Sequence, residues 1–249
     1  MLTLYKPIGL SCCDLIRQLQ TKDEYKDKKL AFTGRLDEMA HGNVILLVGD
    51  ETKKVKEYHD MNKVYKFRFI VGLETDSTAT LGLFQNKSNP SETNIDLIIH
   101  TIMKYKATEF DQEYHVFSSF RPKHKERKPL WWFAFHNRLN EITETPKKKV
   151  KVYDVEVKSA KNVSLDQFIT ETLSDLSKLR ETLFFRKDKV IEQWQSFYDS
   201  NKDKKVNFIE FECEIKVSSG FYIRQFVKDL GKELNLNVLV TEIERLEYF

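Results

Sequence analysis

Apolar and polar side chains alternate along several stretches of the chain, and this period of two predicts β-strands. The clearest case runs from Lys63 to Val71, where Tyr65 and every second residue after it are apolar while Lys66 and Arg68 are charged. This strand is therefore expected to have one buried and one solvated face. Further strands are predicted at residues 1–5, 44–48, 83–84, 150–157, 206–217 and 241–248.

Apolar side chains recur at helical spacing in other segments. Ser11 and Asp14 resemble a capping box before a short helix, and helices are also predicted at residues 51–59, 94–105 and 223–230. Because strands dominate and helices interrupt them irregularly, we expect an α+β domain on a mixed, mostly antiparallel sheet flanked by helices. A helical hairpin is predicted at residues 164–200, with Ser164 and Gln167 as a candidate cap and Phe168, Ile169, Leu173, Leu176, Leu179, Leu183, Ile191, Trp194 and Tyr198 as its apolar face.

The composition narrows the class of protein and its compartment. The 249 residues hold 41 Lys and Arg against 38 Asp and Glu, so a nucleic-acid surface would depend on local clusters of charge. Three cysteines without a C-x-x-C pair favour neither a disulfide framework nor a zinc site, and the six histidines form no evident ligand set. No segment is typical of a signal peptide or a membrane span, so we expect a cytoplasmic protein.

The stretch from Phe32 to Gly42 is the first candidate for chemistry. It is a loop between two apolar runs, framed by Gly34 and Gly42, which permit backbone angles that other residues resist. Its carboxylate, Asp37, is a candidate nucleophile or general base at the edge of a sheet. The alternative is an ordinary polar turn in which Asp37 bonds its own backbone.

Two clusters of basic residues are candidates for binding the phosphates of a nucleic acid. Basic residues interleaved with aromatic ones can bind phosphates while the rings stack on bases. The alternative is a solvated run of charge beside an ordinary aromatic core. The first cluster, near Trp131 and Trp132, consists of Arg121, Lys123, Lys125, Arg127 and Lys128, and the second of Lys147, Lys148 and Lys149.

Several short segments resemble the motifs of the TruB family of tRNA pseudouridine synthases, and they follow one another along the chain in the same order as in that family. The loop around Asp37 resembles that family's G-H-x-G-T-L-D-P-x-A-x-G, and the segment that contains Arg224 is similar to its S-x-G-T-Y-I-R. The resemblance covers roughly residues 2–157 and 206–249. The other similar segments are Tyr5–Ser11 (D-K-P-x-G-x-[ST]), Gly49–Lys53 (G-x-x-T-K), Lys63–Tyr65 (K-x-Y), Gly72–Gly82 (G-x-x-T-D-[ST]-x-D-x-x-G), Phe117–Arg121 ([YF]-S-A-x-K) and Asp229–Gly231 (D-L-G).

The resemblance implies a pseudouridine-synthase-like fold and a set of site residues. It places the catalytic aspartate at Asp37 and pairs it with Arg224, while Arg35 is a second candidate partner. The ring of Tyr65 would stack on the target base, and its hydroxyl is a candidate to take the proton from C5. The substrate-binding candidates are Phe32, Tyr65, Tyr222 and Ile243, of which Ile243 could equally be part of the core.

The implied reaction is the isomerisation of uridine 55 in the T loop of tRNA, without a metal or cofactor. Asp37 would act in its ionised form, either attacking C1′ or removing a ribose proton. The implied partner is the T stem-loop of tRNA, bound by a monomer with no role for a membrane. Two alternatives stay open, namely a pseudouridine synthase for another RNA and a tRNA-binding folding factor with weak or lost catalysis.

The chain departs from the family pattern at several positions. Phe32 stands in place of a histidine and Glu38 in place of a proline, while Tyr114 and His115 replace prolines before [YF]-S-A. Phenylalanine stacks but donates no hydrogen bond, so we expect altered substrate handling. We expect residues 1–249 to form one catalytic domain without the RNA-binding PUA domain common in the family. An insertion at about 161–205 would either hold RNA or pack on the core.

Overall fold

The structure, a computed structural model, describes residues 1–87, 94–180 and 186–249, and a mixed eight-stranded sheet lies at its centre. Its strands run in the order β1-β3-β10-β4-β9-β8-β7, with β2 also paired to β3, while β5 and β6 form a separate two-stranded sheet. Every pair is antiparallel except β3 with β10, which confirms the predicted mixed, mostly antiparallel sheet. The bounds are β1 Leu2–Lys6, β2 Leu30–Phe32, β3 His41–Val48, β4 Lys63–Val71, β5 Leu73–Thr75, β6 Phe84–Lys87, β7 Glu109–Glu113, β8 Lys147–Ser164, β9 Asn207–Val217 and β10 Val238–Tyr248.

Helices cover both faces of the sheet. They are α1 Cys12–Gln20, α2 Val55–His59, α3 Ile95–Met103, α4 Leu130–Phe135, α5 Leu165–Ser177, α6 Lys187–Asp199 and α7 Ile223–Leu234. Both predicted caps are confirmed, because the Asp14 amide donates to the Ser11 hydroxyl and the Gln167 amide to the Ser164 hydroxyl. The predicted helix at residues 51–59 is partly wrong, since Gly49–Lys54 form a 3-10 helix and only the last five residues are α-helical.

The alternation in β4 places two different surfaces on the two faces of the sheet. Tyr65, Phe67 and Phe69 are buried on one face, where Phe67 meets Phe226 of α7 edge-on. On the other face the guanidinium of Arg68 donates to Glu242 at 2.6 Å. The predicted buried face of this strand is therefore confirmed, whereas the face predicted to be solvated is only partly exposed, since Ile70 is buried on it.

The helical hairpin α5–α6 packs on the end of the second face. Its Trp194 is fully buried, and the indole N–H donates to the carbonyl of Thr80 at 2.8 Å. Ile70 of β4 and Phe208 of β9 belong to the same apolar cluster. The hairpin is thus packed on the core over the described residues, and the predicted apolar position Leu183 lies outside them.

Three further observations bear on the expected class of protein. In residues 1–87, 94–180 and 186–249 no helix is both long enough and apolar enough to cross a membrane. The same residues contain no group of three or more His, Cys, Asp or Glu side chains that could hold a metal ion. Cys12 and Cys213 are buried and Cys13 is exposed, and all three are free thiols.

Candidate active site

The loop that carries Asp37 connects β2 to β3 and is fixed by a buried lysine. Lys6 is fully buried, and its ammonium donates to the carbonyls of Ala40 at 2.5 Å and Glu38 at 3.4 Å. The amide of Gly9 donates to the same Glu38 carbonyl at 2.9 Å. The N-terminal strand and turn therefore hold the main chain directly after Asp37.

The two glycines that frame this loop have different roles. Gly42 has a φ of +111°, and a side chain there would collide with the backbone of Arg245 in the parallel strand β10. Gly34 does not have a positive φ, and a Cβ there would come no closer than 3.5 Å to Arg245. Of the two glycines, Gly42 therefore uses the backbone freedom that glycine permits, and Gly34 does not.

Arg224 reaches Asp37 from the start of α7. The guanidinium Nη2 lies 2.6 Å from Asp37 Oδ2, with the arginine buried and the side chain of Asp37 51% exposed. The guanidinium also donates to the carbonyls of Ser77 at 3.3 Å and Phe117 at 3.4 Å. One arginine therefore joins the aspartate to two other loops, and among the described residues Arg35 makes no ion pair with Asp37.

A cavity of about 340 Å³, which we name the tyrosine cavity, brings the predicted site residues together. The ring of Tyr65 is buried at its wall, and the hydroxyl of Tyr222 is held protonated, because burial and the nearby charge of Asp37 raise the pKa of Tyr222 to about 12. The predicted residues that line the cavity are Phe32, Asp37, Tyr65, Tyr222, Arg224 and Ile243.

Two buried cations beside the tyrosine cavity were not assigned a role from the sequence. Arg245 donates to the carbonyls of Asn43 at 2.7 Å and Gly34 at 3.2 Å. Lys63 donates to two main-chain carbonyls, and burial together with the charge of Arg245 lowers the pKa of Lys63 to about 8. Lys63 lies in the segment that resembles K-x-Y. This motif could have indicated Lys63 as a residue of the site, whereas the periodicity of the strand could not.

A second cavity of about 340 Å³ lies on the other side of the Asp37–Arg224 pair. Its walls include the aromatic side chains of Phe117, Trp131 and Phe135, so we name it the aromatic cavity. Arg186, the residue before α6, pairs with Asp76 at 2.5 Å and lies over the rings of Phe117 and Phe135. The hairpin therefore supplies one wall of this second cavity.

The predicted basic clusters differ in how free their charges are. Arg121, Lys123, Lys125, Arg127 and Lys128 are all exposed. In the second cluster Lys147 pairs with Glu113 at 3.7 Å and Lys149 with Glu109 at 3.4 Å, on the neighbouring strand β7. Lys148 points the other way, since its ammonium contacts Gly220 at the tyrosine cavity.

Comparisons with known proteins identify a family and several relatives for this chain. The family model for the TruB family pseudouridylate synthase N-terminal domain matches residues 22–173. The chain is 24% identical over 99% of its length to tRNA pseudouridine synthase B of Mesoplasma florum and 28% identical over 97% to that of Mycoplasma capricolum. It covers 68% and 65% of these two relatives, which is about two thirds of their length.

Solved structures share the fold. The crystal structure of a Cbf5-Nop10-Gar1 complex matches with a TM-score of 0.55 at 13% identity, over 99% of this chain and 47% of that one. An H/ACA RNP bound to a substrate RNA containing 2′-deoxyuridine matches with a TM-score of 0.54 at 13% identity, over 99% and 46%. These likenesses confirm the predicted pseudouridine-synthase-like fold. The family model matches more than half of the chain. The chain belongs to the TruB family of pseudouridylate synthases.

Proposed function

We propose that this chain isomerises uridine to pseudouridine in tRNA, at uridine 55 of the T loop. The observation that carries the proposal is the ion pair of Asp37 with Arg224 at the wall of a cavity that also holds Tyr65 and Tyr222. The relatives named tRNA pseudouridine synthase B support tRNA as the substrate class. The family match supports the reaction type.

The reaction conserves every atom of the substrate. The bond between N1 and C1′ breaks, a bond between C5 and C1′ forms, C5 loses a proton and N1 gains one. Asp37 acts in its ionised form, either by attacking C1′ or by removing a proton from the ribose. Contact with Arg224 at 2.6 Å stabilises the negative charge on the carboxylate for either role.

The tyrosine cavity is proposed to hold the detached base while it turns. Its volume of about 340 Å³ is within the usual range for small-ligand sites. The ring of Tyr65 stacks on the base and its hydroxyl takes the C5 proton, while the protonated hydroxyl of Tyr222 donates a hydrogen bond. Ile243 lines both cavities and limits the space in which the base can turn.

A uridine stacked in a folded loop must be extruded before it can enter the cavity, which costs a few kcal/mol. Contacts to the RNA backbone offset this cost. We assign them to the exposed basic residues between 121 and 128 and to Lys148, whose ammonium lies beside Gly220 in the wall of the tyrosine cavity. Lys147 and Lys149 contribute less because each is already paired with a glutamate.

The proposal is tested by replacing Asp37 with asparagine. Purified wild type is incubated with a tRNA transcript, and pseudouridine is mapped by chemical modification and mass spectrometry. We expect product at the T loop with wild type and none with Asp37→Asn, while both proteins bind the tRNA. Binding without product in wild type would favour the folding factor, and product at another site only would favour a synthase for another RNA.

Phe32 is the residue that we propose alters target handling. It is partly buried in the apolar core beside the tyrosine cavity, where its ring can stack but cannot donate a hydrogen bond. We expect Phe32→His to change KM for the T stem-loop while the protein still makes pseudouridine. Unchanged binding and turnover would remove this role.

We also propose that residues 161–205 are a helical insertion within one catalytic domain. The hairpin's contacts with Thr80 and Asp76 support packing on the core rather than a grip on RNA. The monomeric state stays a prediction.

A further inference from the structure

His115 lies fully buried between two loops of the active site. Its ring nitrogen Nδ1 accepts a hydrogen bond from the amide of Phe117 at 3.2 Å. Its other nitrogen, Nε2, lies 3.4 Å from the hydroxyl of Thr78. The imidazole therefore connects the segment that follows β7 to the turn that follows β5.

The same two loops are also joined by Arg224. The guanidinium donates to the carbonyl of Ser77, one residue before Thr78, and to the carbonyl of Phe117 itself. The imidazole and the guanidinium thus form two parallel connections between the same pair of loops. Any displacement of either loop would move a carbonyl oxygen that orients Arg224 toward Asp37.

The hydrogen bonds define the protonation state of the ring. Because Nδ1 accepts from the Phe117 amide, the single proton of the neutral ring lies on Nε2 and is donated to Thr78. Burial and the positive charges of Arg224 and Lys228, both on α7, keep the pKa of His115 well below its usual value. A protonated ring would lose the acceptor for Phe117 and place a second cation beside Arg224.

Building on the synthase function proposed above, we propose that His115 is a positioning residue for Arg224. It holds the main chain at Phe117 and Thr78 and thereby fixes the carbonyl oxygens that aim the guanidinium at Asp37. This position departs from the family pattern, in which a proline stands before the [YF]-S-A motif. A rigid residue has been replaced here by one that makes two hydrogen bonds.

The test compares three variants by steady-state kinetics with a tRNA transcript. His115→Leu removes both hydrogen bonds and is expected to lower kcat about 10- to 100-fold, as small displacements of catalytic groups do, with KM almost unchanged. His115→Asn places an amide oxygen close to the position of Nδ1, so it is expected to recover part of kcat. Phe208→Leu, in the buried cluster on the opposite face, controls for lost stability and is expected to keep kcat.

All variants are assayed below their melting temperatures, and each result is decisive. A folded His115→Leu protein with the kcat of wild type would overturn the inference. So would an effect confined to KM, or an Asn variant no better than the Leu variant.

A second measurement does not depend on turnover. The guanidinium N–H signals of Arg224 are followed by NMR in the protein without RNA. We expect them to shift or broaden in His115→Leu and to stay in place in Phe208→Leu, and unchanged signals in both would overturn the inference. If wild type makes no pseudouridine in any RNA while the signals respond as expected, the proposed function fails and the positioning of Arg224 by His115 stands.

Discussion

At the scale of single residues, Arg224 is shared between one carboxylate and two main-chain carbonyls. Arg224→Lys keeps the positive charge but has no planar fork of donors, so it cannot reach Asp37, Ser77 and Phe117 together. Loss of one or two charged hydrogen bonds, each worth about 1.5–3 kcal/mol, is expected to lower kcat at least tenfold.

The measurement is the steady-state kinetics of Arg224→Lys with tRNA. The control is Lys228→Arg, which makes the reverse substitution on the same helix. If the lysine variant turned over as fast as wild type, the shared guanidinium would have no role in the chemistry.

Lys6 gives the stability a specific dependence on pH. Burial lowers the pKa of Lys6 from 10.5 to about 8, so between these values the unfolded chain binds more protons than the folded one. Folded stability therefore rises with pH across this window, by up to about 1.4 kcal/mol per pH unit from this group. Lys6→Met lacks this contribution, and the free energy of unfolding of wild type minus that of the variant should increase from pH 8 to pH 10.

Urea unfolding of both proteins at pH 7, 8, 9 and 10 checks this expectation. The pKa of Lys63 is also lowered, but this lysine is present in both proteins, so its effect cancels in the difference. A difference that stays constant with pH would show that Lys6 holds its proton equally well in the folded and unfolded chains.

Motifs in the sequence nominate Asp37, Arg224 and Tyr65, which the structure brings to one cavity, but they do not indicate the groups that hold these residues in place. A lysine at the end of a strand, such as Lys6, is usually solvated, and nothing local indicates that two carbonyls of the loop after Asp37 accept hydrogen bonds from it. The same is true of His115, whose two partners come from different loops. Such contacts depend on how distant segments pack, which no spacing along the chain encodes.

At the scale of elements, Trp194 joins the hairpin α5–α6 to the rest of the domain, because its indole N–H donates to the carbonyl of Thr80. Trp194→Ala should destabilise the fold by about 3–5 kcal/mol, because it leaves a large cavity. Trp194→Phe keeps most of the buried ring but leaves the carbonyl of Thr80 without its donor, and it should cost about 1–3 kcal/mol. Urea unfolding of the two variants measures both values, and a Phe variant as stable as wild type would show that the hydrogen bond contributes nothing.

Elements with a strong local pattern were predicted closely, and those shaped by neighbours were not. The bounds of β4 match the prediction, because its alternation is clean and both of its neighbours are antiparallel. By contrast β8 extends to 18 residues, since β7 pairs with its first part and β9 with the remainder. No strand is predicted from the sequence at residues 73–82, yet this segment begins with the short strand β5, which pairs with β6.

Helix α4 was missed for a related reason. Its sequence, Leu130–Phe135, is almost entirely apolar and aromatic, so it shows no amphipathic period. A helix of six residues is formed here by packing, with Leu130 and Phe133 buried, rather than by intrinsic preference.

At the scale of the whole molecule, the net charge of +3 is too small to attract RNA without clustering. The exposed basic residues between 121 and 128 should therefore dominate the salt dependence of RNA binding. Lys123→Gln is expected to reduce the slope of log affinity against log salt by about 0.9 or less, the value for one lost phosphate contact. Lys149→Gln is the matched control and should change the slope less, because Lys149 is already paired with Glu109.

The slopes are measured by filter binding of a T stem-loop between low and physiological salt. Equal slopes for wild type and Lys123→Gln would place the contact with RNA elsewhere on the molecule.

The parallel pairing of β3 with β10 has a consequence for folding during synthesis. Arg245 meets the carbonyls of Asn43 and Gly34 across 202 and 211 residues of sequence. Closing loops of this length is slow compared with forming local helices and hairpins. A chain emerging from the ribosome therefore carries Asp37 early, but the cavity beside it stays unfinished until β10 has been synthesised and has paired with β3.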